Sequence, residues 1–261
     1  MPHSAITLLT DFGTADGYVA ELKGVLTTLA PGAPVLDMSH DIPAHDIEHA
    51  RLTLARYWRR FPAGTVHLVV IDPGVGTSRA AIAVESDGRF LVGPDNGVLS
   101  PALFSLDAIV VQLAVDPHAS ATFHGRDVFA PAAAQLALGT PLAALGETWH
   151  QAVRRRTPQP QRHADGSLLG EILTIDRFGN ALTNLMAHGL AARTAAGVAH
   201  TVTTGRHVAR VVRTYGDAAP GELVALTGSS GFVELAVRDG SAAALRGLQR
   251  GQPVVLREGT V

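Results

Sequence analysis

The chain has 261 residues, 46% of them hydrophobic and 17% charged, which is enough to bury a core in one large domain or two. A net charge of -2 gives no electrostatic footprint for nucleic acid or an anionic membrane. Cysteine is absent, which excludes disulfides, thiolate nucleophiles and thiolate metal sites, and Lys23 is the one lysine on which Schiff-base chemistry could rest.

The start, MPHSAITLLTD, lacks the basic opening of a signal peptide, and no run reaches the ~18 apolar residues of a membrane span, so a cytoplasmic enzyme is expected. Residues 6–9 read as a strand leading into Thr10, Asp11, Phe12 and Gly13. In residues 17–29, Tyr18, Val19, Leu22, Val25, Leu26 and Leu29 fall at helical spacing. Residues 34–38 read as a second strand and 46–58 as a second amphipathic helix.

The segment TVHLVVIDPGVGTSR follows. Its apolar run, residues 66–71, ends in Asp72, then Pro73, two glycines and Arg79. That pattern reads as a buried parallel strand ending in a site, since ligands in open α/β sheets sit outside the carboxyl ends of strands. Asp11 and Asp72 are thereby delivered to one edge. Residues 81–85, 90–92 and 108–113 are further strand candidates, with a turn at 93–97. In FHGRDVFAPAAAQLALG, Asp127 reads as an N-cap, Pro131 fits a first turn and Gly139 a C-cap.

The expected fold class is therefore α/β: an N-terminal, mostly parallel sheet flanked by helices over residues 1–152. Residues 153–166 have no apolar period and two prolines, and read as a linker. Residues 167–261 turn to short strands at 168–175, 199–203, 208–213, 223–226, 232–237 and 253–257, which predicts a smaller β-rich barrel or sandwich domain.

Several motifs invite chemistry. Asp11-Phe12-Gly13 spells a kinase magnesium triplet, but only ten residues precede it, so the Gly-rich loop, strand lysine and catalytic loop are missing. GVGTSR lacks the Gly-Lys-Ser/Thr of a phosphate-binding loop. His45 and His49 in HDIEH are read as a solvated or interface pair rather than zinc ligands, and no metal is expected. His124, in a loop before a helix, could project into a cleft or be structural. Asp176 ends a strand and is followed by Phe178 and Asn180, apolar surface beside a carboxamide, which suits a planar base such as adenine. Residues 227–231, TGSSG, form a loop of small donors able to hold a carboxylate, though a mere turn fits as well. Without a following helix it is a poor serine-nucleophile elbow.

Together, LLTDFGTADGYVAELKG, FPAGTVHLVVIDPGVGTSR, GPDNGVLS, FHGRDVFAPAAA, IDRFGNALTN and LTGSSGFVELAVRDGSAA resemble the S-adenosyl-L-methionine (SAM) hydroxide adenosyltransferase family, adenosine-forming SAM hydrolases related to fluorinase and chlorinase. The resemblance implies an N-terminal α/β catalytic domain and a smaller β domain. It also implies a homotrimer with SAM held between subunits, and SAM as substrate with no separate cofactor. By motif, the family's catalytic residues fall on Asp72, Arg79 and His124. Asp11 would bind the ribose hydroxyls and Asp16 the methionine ammonium, with Asp176 near it. Phe178 and Asn180 would meet adenine, Tyr215 would stack on it, and Ser229 and Ser230 would hold the methionine carboxylate. Halide-using relatives replace the Asp and His positions, so Asp72 and His124 favour water as nucleophile. His45 and Leu182 depart from the aromatic residues of those relatives. The activity so implied is attack of water at ribose C5′, giving adenosine and L-methionine. A non-catalytic SAM- or adenosine-binding protein and a halogenating relative are the alternatives.

Overall fold

The computed structural model describes residues 4–186 and 198–259. Two units divide it, Met1–Arg156 and Thr157–Val261.

In the first unit, seven strands form one sheet: β1 (Ile6–Thr10), β2 (Val35–Ser39), β3 (Val66–Val70), β4 (Ala81–Ser86), β5 (Arg89–Pro94), β6 (Ile109–Leu113) and β7 (Gly146–Thr148), in the order β2-β1-β3-β5-β4-β6-β7. Pairing is parallel from β2 through β5 and antiparallel from β5 to β7. The parallel half carries the two strand ends singled out above. Every residue of β1 and β3 is buried, as expected of strands covered on both faces. Their side chains alternate between two cores. Ile6, Leu8, Val66, Leu68 and Val70 pack with Leu22 and Leu26 of α1 (Tyr18–Leu29). Leu9, Val69 and Ile71 pack with Leu54 of α2 (Ile47–Tyr57) and with Trp58. Each such side chain contributes about 1.5–3 kcal/mol on burial, so the site sits at the end of strands anchored on both faces.

α3 (Ser100–Leu103) and α4 (Ala130–Ala137) complete the first unit. Pro131 stands in the first turn of α4, and Gly139 follows the helix with φ 91°. Asp127 is not its N-cap. Residues Gly125–Phe129 wind as a wide π turn ahead of α4, and the Asp127 carboxylate instead accepts the Ser120 N–H at 2.9 Å and pairs with Arg126. An adjacent guanidinium outcompetes a helix end for that carboxylate.

The second unit is a closed barrel. β9 (Leu168–Ile175), β10 (Ala181–Met186), β14 (Phe232–Val237), β13 (Leu223–Thr227), β12 (His207–Val211), β11 (His200–Thr204) and β15 (Pro253–Glu258) pair in that order, and β15 with β9 closes the ring. β8 (Gln161–Arg162) adds to β9, so a short strand lies within the stretch read as a linker. Val153 and Arg155, in the same stretch, are tied back into the first unit by bonds to Asp95 and Ser100. Closure removes the exposed edges that short strands otherwise present. Ile172, Leu185, Val202, Ala225, Leu235 and Val254 fill the interior. Strand β10, hidden inside the IDRFGNALTN motif, and a short helix α5 (Ala242–Arg246) were not foreseen.

Candidate active site

The chain passes from β1 through α1 to β2 on one side, then through α2 to β3 on the other. The sheet order therefore reverses between β1 and β3, and α1 and α2 lie in different cores. A crevice opens outside the carboxyl ends of two such strands, where neighbouring connections leave in opposite directions. Register pairs Thr10 with Val70, so Asp11 and Asp72 emerge side by side. A cavity of about 260 Å³ lies there, lined by Asp11, Phe12, His45, Asp72, Phe123 and His124 among others.

Asp72, Arg79 and His124 come together at this cavity. Arg79 grips Asp72 with both arms of its fork: Nε donates to Oδ1 at 2.8 Å and Nη2 donates to Oδ2. Nη2 also lies 3.0 Å from His124 Nδ1. A guanidinium has no acceptor, so Nδ1 must accept, and the neutral imidazole carries its proton on Nε2. Burial, and then the Arg79 cation, push the His124 imidazole below its ordinary value. The side chains of Arg79 and Asp72 are 9% and 6% exposed, and His124 is 7% exposed. Arg79 Nη1 is buried with no hydrogen-bond partner among the described residues, a donor of the kind usually matched by ligand or solvent.

The rest of the cavity wall is built around Asp11. Its Oδ2 accepts the His45 N–H at 2.8 Å, which holds His45 in the left-handed region at φ 66°. His45 thus lies outside α2, which starts at Ile47 with Asp46 as its N-cap, and it does not stand one helical turn from His49. Behind Asp11, Thr10 Oγ1 lies 2.8 Å from His40 Nδ1, and His40 Nε2 lies 3.2 Å from Asp37, which Lys23 contacts at 2.6 Å. The Gly13 N–H also donates to the His40 carbonyl at 2.8 Å. His40 therefore ties down both sides of the Asp11 loop, a role that a partner thirty positions away in sequence concealed. Phe12, Tyr18 and Phe123 stack edge to face, with centroids 5.5–6.0 Å apart. Arg126 lies over Phe123 and pairs with Asp127, whose carboxyl it holds below the usual carboxylate range. Asp16 stands apart: it is exposed ahead of α1 and does not line the cavity. Among the described residues, no group of three or more His, Cys, Asp or Glu is arranged to hold a metal ion.

In the barrel unit, Asp176 Oδ1 accepts the N–H groups of Phe178 and Asn180 at 2.9 and 2.8 Å. The Asn180 amide donates to its Oδ2 at 3.1 Å. Gly179, at φ 82°, completes the turn, where a Cβ would run into Ser241. The carboxylate is thus engaged by its own loop, and Phe178 is held 77% exposed. Tyr215 is 44% exposed, and its hydroxyl donates to the buried Glu234. Ser229 and Ser230 sit in a turn closed by the Gly231 N–H donating to the Gly228 carbonyl at 3.0 Å. Leu182 is buried and pairs with Glu234 across β10 and β14.

Two family models match the chain: the SAM hydroxide adenosyltransferase N-terminal domain over residues 6–146 and the corresponding C-terminal domain over residues 170–255. An (R)-S-adenosyl-L-methionine hydrolase of Salinispora tropica is 42% identical over 258 residues, covering 96% of each chain. A fluorinase of an Actinoplanes species is more distant, 28% identical over 69% of this chain and 71% of its own. A crystal structure of an uncharacterized conserved protein from Thermotoga maritima superposes with a TM-score of 0.87 at 32% identity, covering 96% of this chain and 99% of that one.

Proposed function

The chain belongs to the SAM hydroxide adenosyltransferase family, and on that premise we propose that it hydrolyses S-adenosyl-L-methionine to adenosine and L-methionine. Water attacks the ribose C5′ in line with the sulfonium. The O–C5′ bond forms, the C5′–S bond breaks, sulfur keeps the electron pair, and the surplus proton leaves through the site to solvent. Because methionine departs as a neutral thioether, the leaving group needs no acid, and the reaction needs no metal or separate cofactor.

What is difficult is the nucleophile, and here the observation that carries the reading is the Arg79 fork. It holds Asp72 as an oriented acceptor and, through Nη2, makes His124 Nδ1 an acceptor as well. His124 then offers Nε2–H to a water oxygen while Asp72 accepts a water proton, so one water is held from two sides before attack. Asp11 beside them is placed to accept from ribose hydroxyls. The cavity, at about 260 Å³, is below the usual ~300–1,000 Å³ of a small-molecule pocket and suits the reacting middle of the substrate.

In this reading Asp16 and Asp176 lie near the methionine ammonium, Phe178, Asn180 and Tyr215 meet adenine, and Ser229 and Ser230 hold the methionine carboxylate. The exposed faces of Phe178 and Tyr215 support the stacking roles. A cytoplasmic homotrimer with substrate held between subunits belongs to the same proposal. Among the described residues no helix is long and apolar enough to cross a membrane.

Incubating the protein with SAM in H₂¹⁸O tests this directly. Adenosine labelled at its 5′ oxygen, with methionine released in equal amount and no dependence on chloride or fluoride, is expected. Bound but unaltered SAM would turn the reading to a binding protein, and halide-dependent product to a halogenase. Assaying the two sulfonium epimers separately tests whether the (R) in the relative's name extends to this chain.

A further inference from the structure

We propose that Asn96 is a positioning residue for the Asp72–Arg79 pair, acting through the turn that follows β5. The inference rests on the hydrolase reading for its activity readout, and on geometry alone for the rest.

The sequence reads residues 93–97, GPDNG, as a plain turn. In the structure that turn touches the backbone next to both members of the pair. The Asn96 side-chain amide donates to the Ile71 carbonyl at 2.8 Å, the carbonyl of the peptide that leads into Asp72. One residue earlier, the Asp95 N–H donates to the Ala80 carbonyl at 2.9 Å, immediately after Arg79. An asparagine that only closed its own turn would direct both side-chain atoms inward. Here Oδ1 does so, accepting the Val98 N–H at 3.1 Å, while Nδ2 reaches out to the strand end that carries the catalytic acid.

Ile71 is fully buried and lies one residue past the last ladder position of β3, so the sheet itself does not fix that peptide. The turn is in turn braced from behind. Trp149 Nε1 and the Val153 N–H donate to the Asp95 carboxylate at 2.8 and 2.7 Å, and Arg155 Nε donates to the Asn96 carbonyl at 2.9 Å. Gly97 has φ 95°, and a Cβ there would meet the Arg155 side chain at 2.5 Å. Among the described residues, the hydrogen bond from this braced turn to the Ile71 carbonyl comes from the side-chain amide of Asn96. Asn96 is not among the residues that line the cavity, so its effect must reach the reaction through the orientation of Asp72.

Asn96→Asp keeps the size and the acceptor for Val98 but removes the donor; Asn96→Ala removes both. Ser86→Ala removes a buried bond at the far end of β4, from Ser86 Oγ to the Ala102 carbonyl at 3.1 Å, and serves as the control. Three readouts are taken on each: kcat and KM for SAM, thermal midpoint, and titration of the His124 ring nitrogens by ¹⁵N NMR without substrate. The expected result is a fall in kcat of roughly ten- to a hundredfold in both Asn96 variants, with KM within about twofold and a displaced His124 titration. Ser86→Ala should lower the thermal midpoint while leaving kcat and the His124 titration in place. Asn96 variants that lose stability but keep wild-type kcat and an unmoved His124 titration overturn the proposal, as does a change confined to KM. If Asn96→Ala does not fold, Asn96→Asp carries the test. If the wild-type protein forms no adenosine, the hydrolase reading fails, and the His124 titration still decides the positioning: displaced in Asn96→Asp supports it, unmoved overturns it.

Discussion

The two units organise their acids in opposite ways. In the first, Asp72 leaves a buried strand and its carboxylate is held by a guanidinium seven residues on, which also contacts an imidazole from a third segment. In the barrel, Asp176 turns its carboxylate onto its own loop, and what that loop presents outward is an aromatic ring. Under the proposed hydrolysis, the contrast separates chemistry from recognition. A reacting group must be fixed by partners brought from several elements, because a small displacement costs rate. A stacking surface needs only a turn that holds it in place.

The largest expected effect tests the first half of that comparison. Asp72→Asn should lower kcat by about 10² to 10⁴ while SAM still binds, because it removes the proton acceptor but keeps the shape. Asp72→Ala is the less informative variant, since it strands a buried guanidinium, which typically costs about 3–5 kcal/mol of stability. Equilibrium dialysis beside turnover measures both parts; full activity in Asp72→Asn would remove the acid from the mechanism. The pH profile sharpens the same point. The His124 value is depressed, so the ring stays neutral through the physiological range. Activity should fall only on the acid side, with a midpoint below the ordinary histidine value of 6.5. Protonation there places a hydrogen on Nδ1 against Arg79, and a midpoint at or above 6.5 would contradict the tautomer assigned here.

How much of this was legible in the sequence follows from distance along the chain. Asp72 and Arg79 are close in sequence, at a strand end marked by proline and glycine, so strand pattern alone pointed to them. His124 carried no comparable local mark, and only the family resemblance paired it with them. The parallel core of the first sheet followed from apolar runs, whereas the closure of the barrel did not. β10 lies within a motif rich in polar residues, and although it forms a hairpin with β9, its pairing with β14 is a long-range property. His40 and Asn96 were missed for the same reason: each looks like an ordinary loop residue until its partner on another strand is known. Asp127 was misassigned because a helix-capping pattern cannot register that a neighbouring arginine takes the carboxylate.

Stability of the first unit should also depend on pH through His67, whose burial pushes its value down to about 4. It is fully buried in β3 with Nδ1 2.8 Å from Thr7 Oγ1. The unfolded chain binds a proton below 6.5 and the folded one does not, so the contribution is fully present above pH 6.5 and is lost as pH falls from there to about 4. The loss amounts to about 3 kcal/mol. Denaturant unfolding at pH 7 and pH 4.5 should show a smaller acid loss in His67→Gln than in the wild type, and equal losses would count against it.

Phe178→Ala tests the second half of the comparison. If the barrel turn exists to present a ring, the variant should raise KM by roughly five- to a hundredfold with little change in kcat, since base–aromatic stacking is worth about 1–3 kcal/mol. Because Phe178 is mostly exposed, thermal stability should hardly move. A drop in kcat at saturating SAM would instead mean that this ring helps align the reacting carbon.

The smallest effect separates the turn from the ring it carries. Asp176→Asn keeps an oxygen for both loop N–H groups but sets an amide donor against the Asn180 amide that donated to Oδ2, so the turn should lose about 1 kcal/mol, the usual worth of one such bond. If the acid acts only through the loop, KM should follow the Phe178→Ala direction at smaller amplitude, and raising ionic strength should leave the ratio of variant to wild-type KM unchanged. If the carboxylate itself meets the methionine ammonium, that ratio should shrink with salt, because the lost interaction is then between charges. The salt series therefore distinguishes an acid that shapes a surface from one that binds, which is the distinction the two units pose.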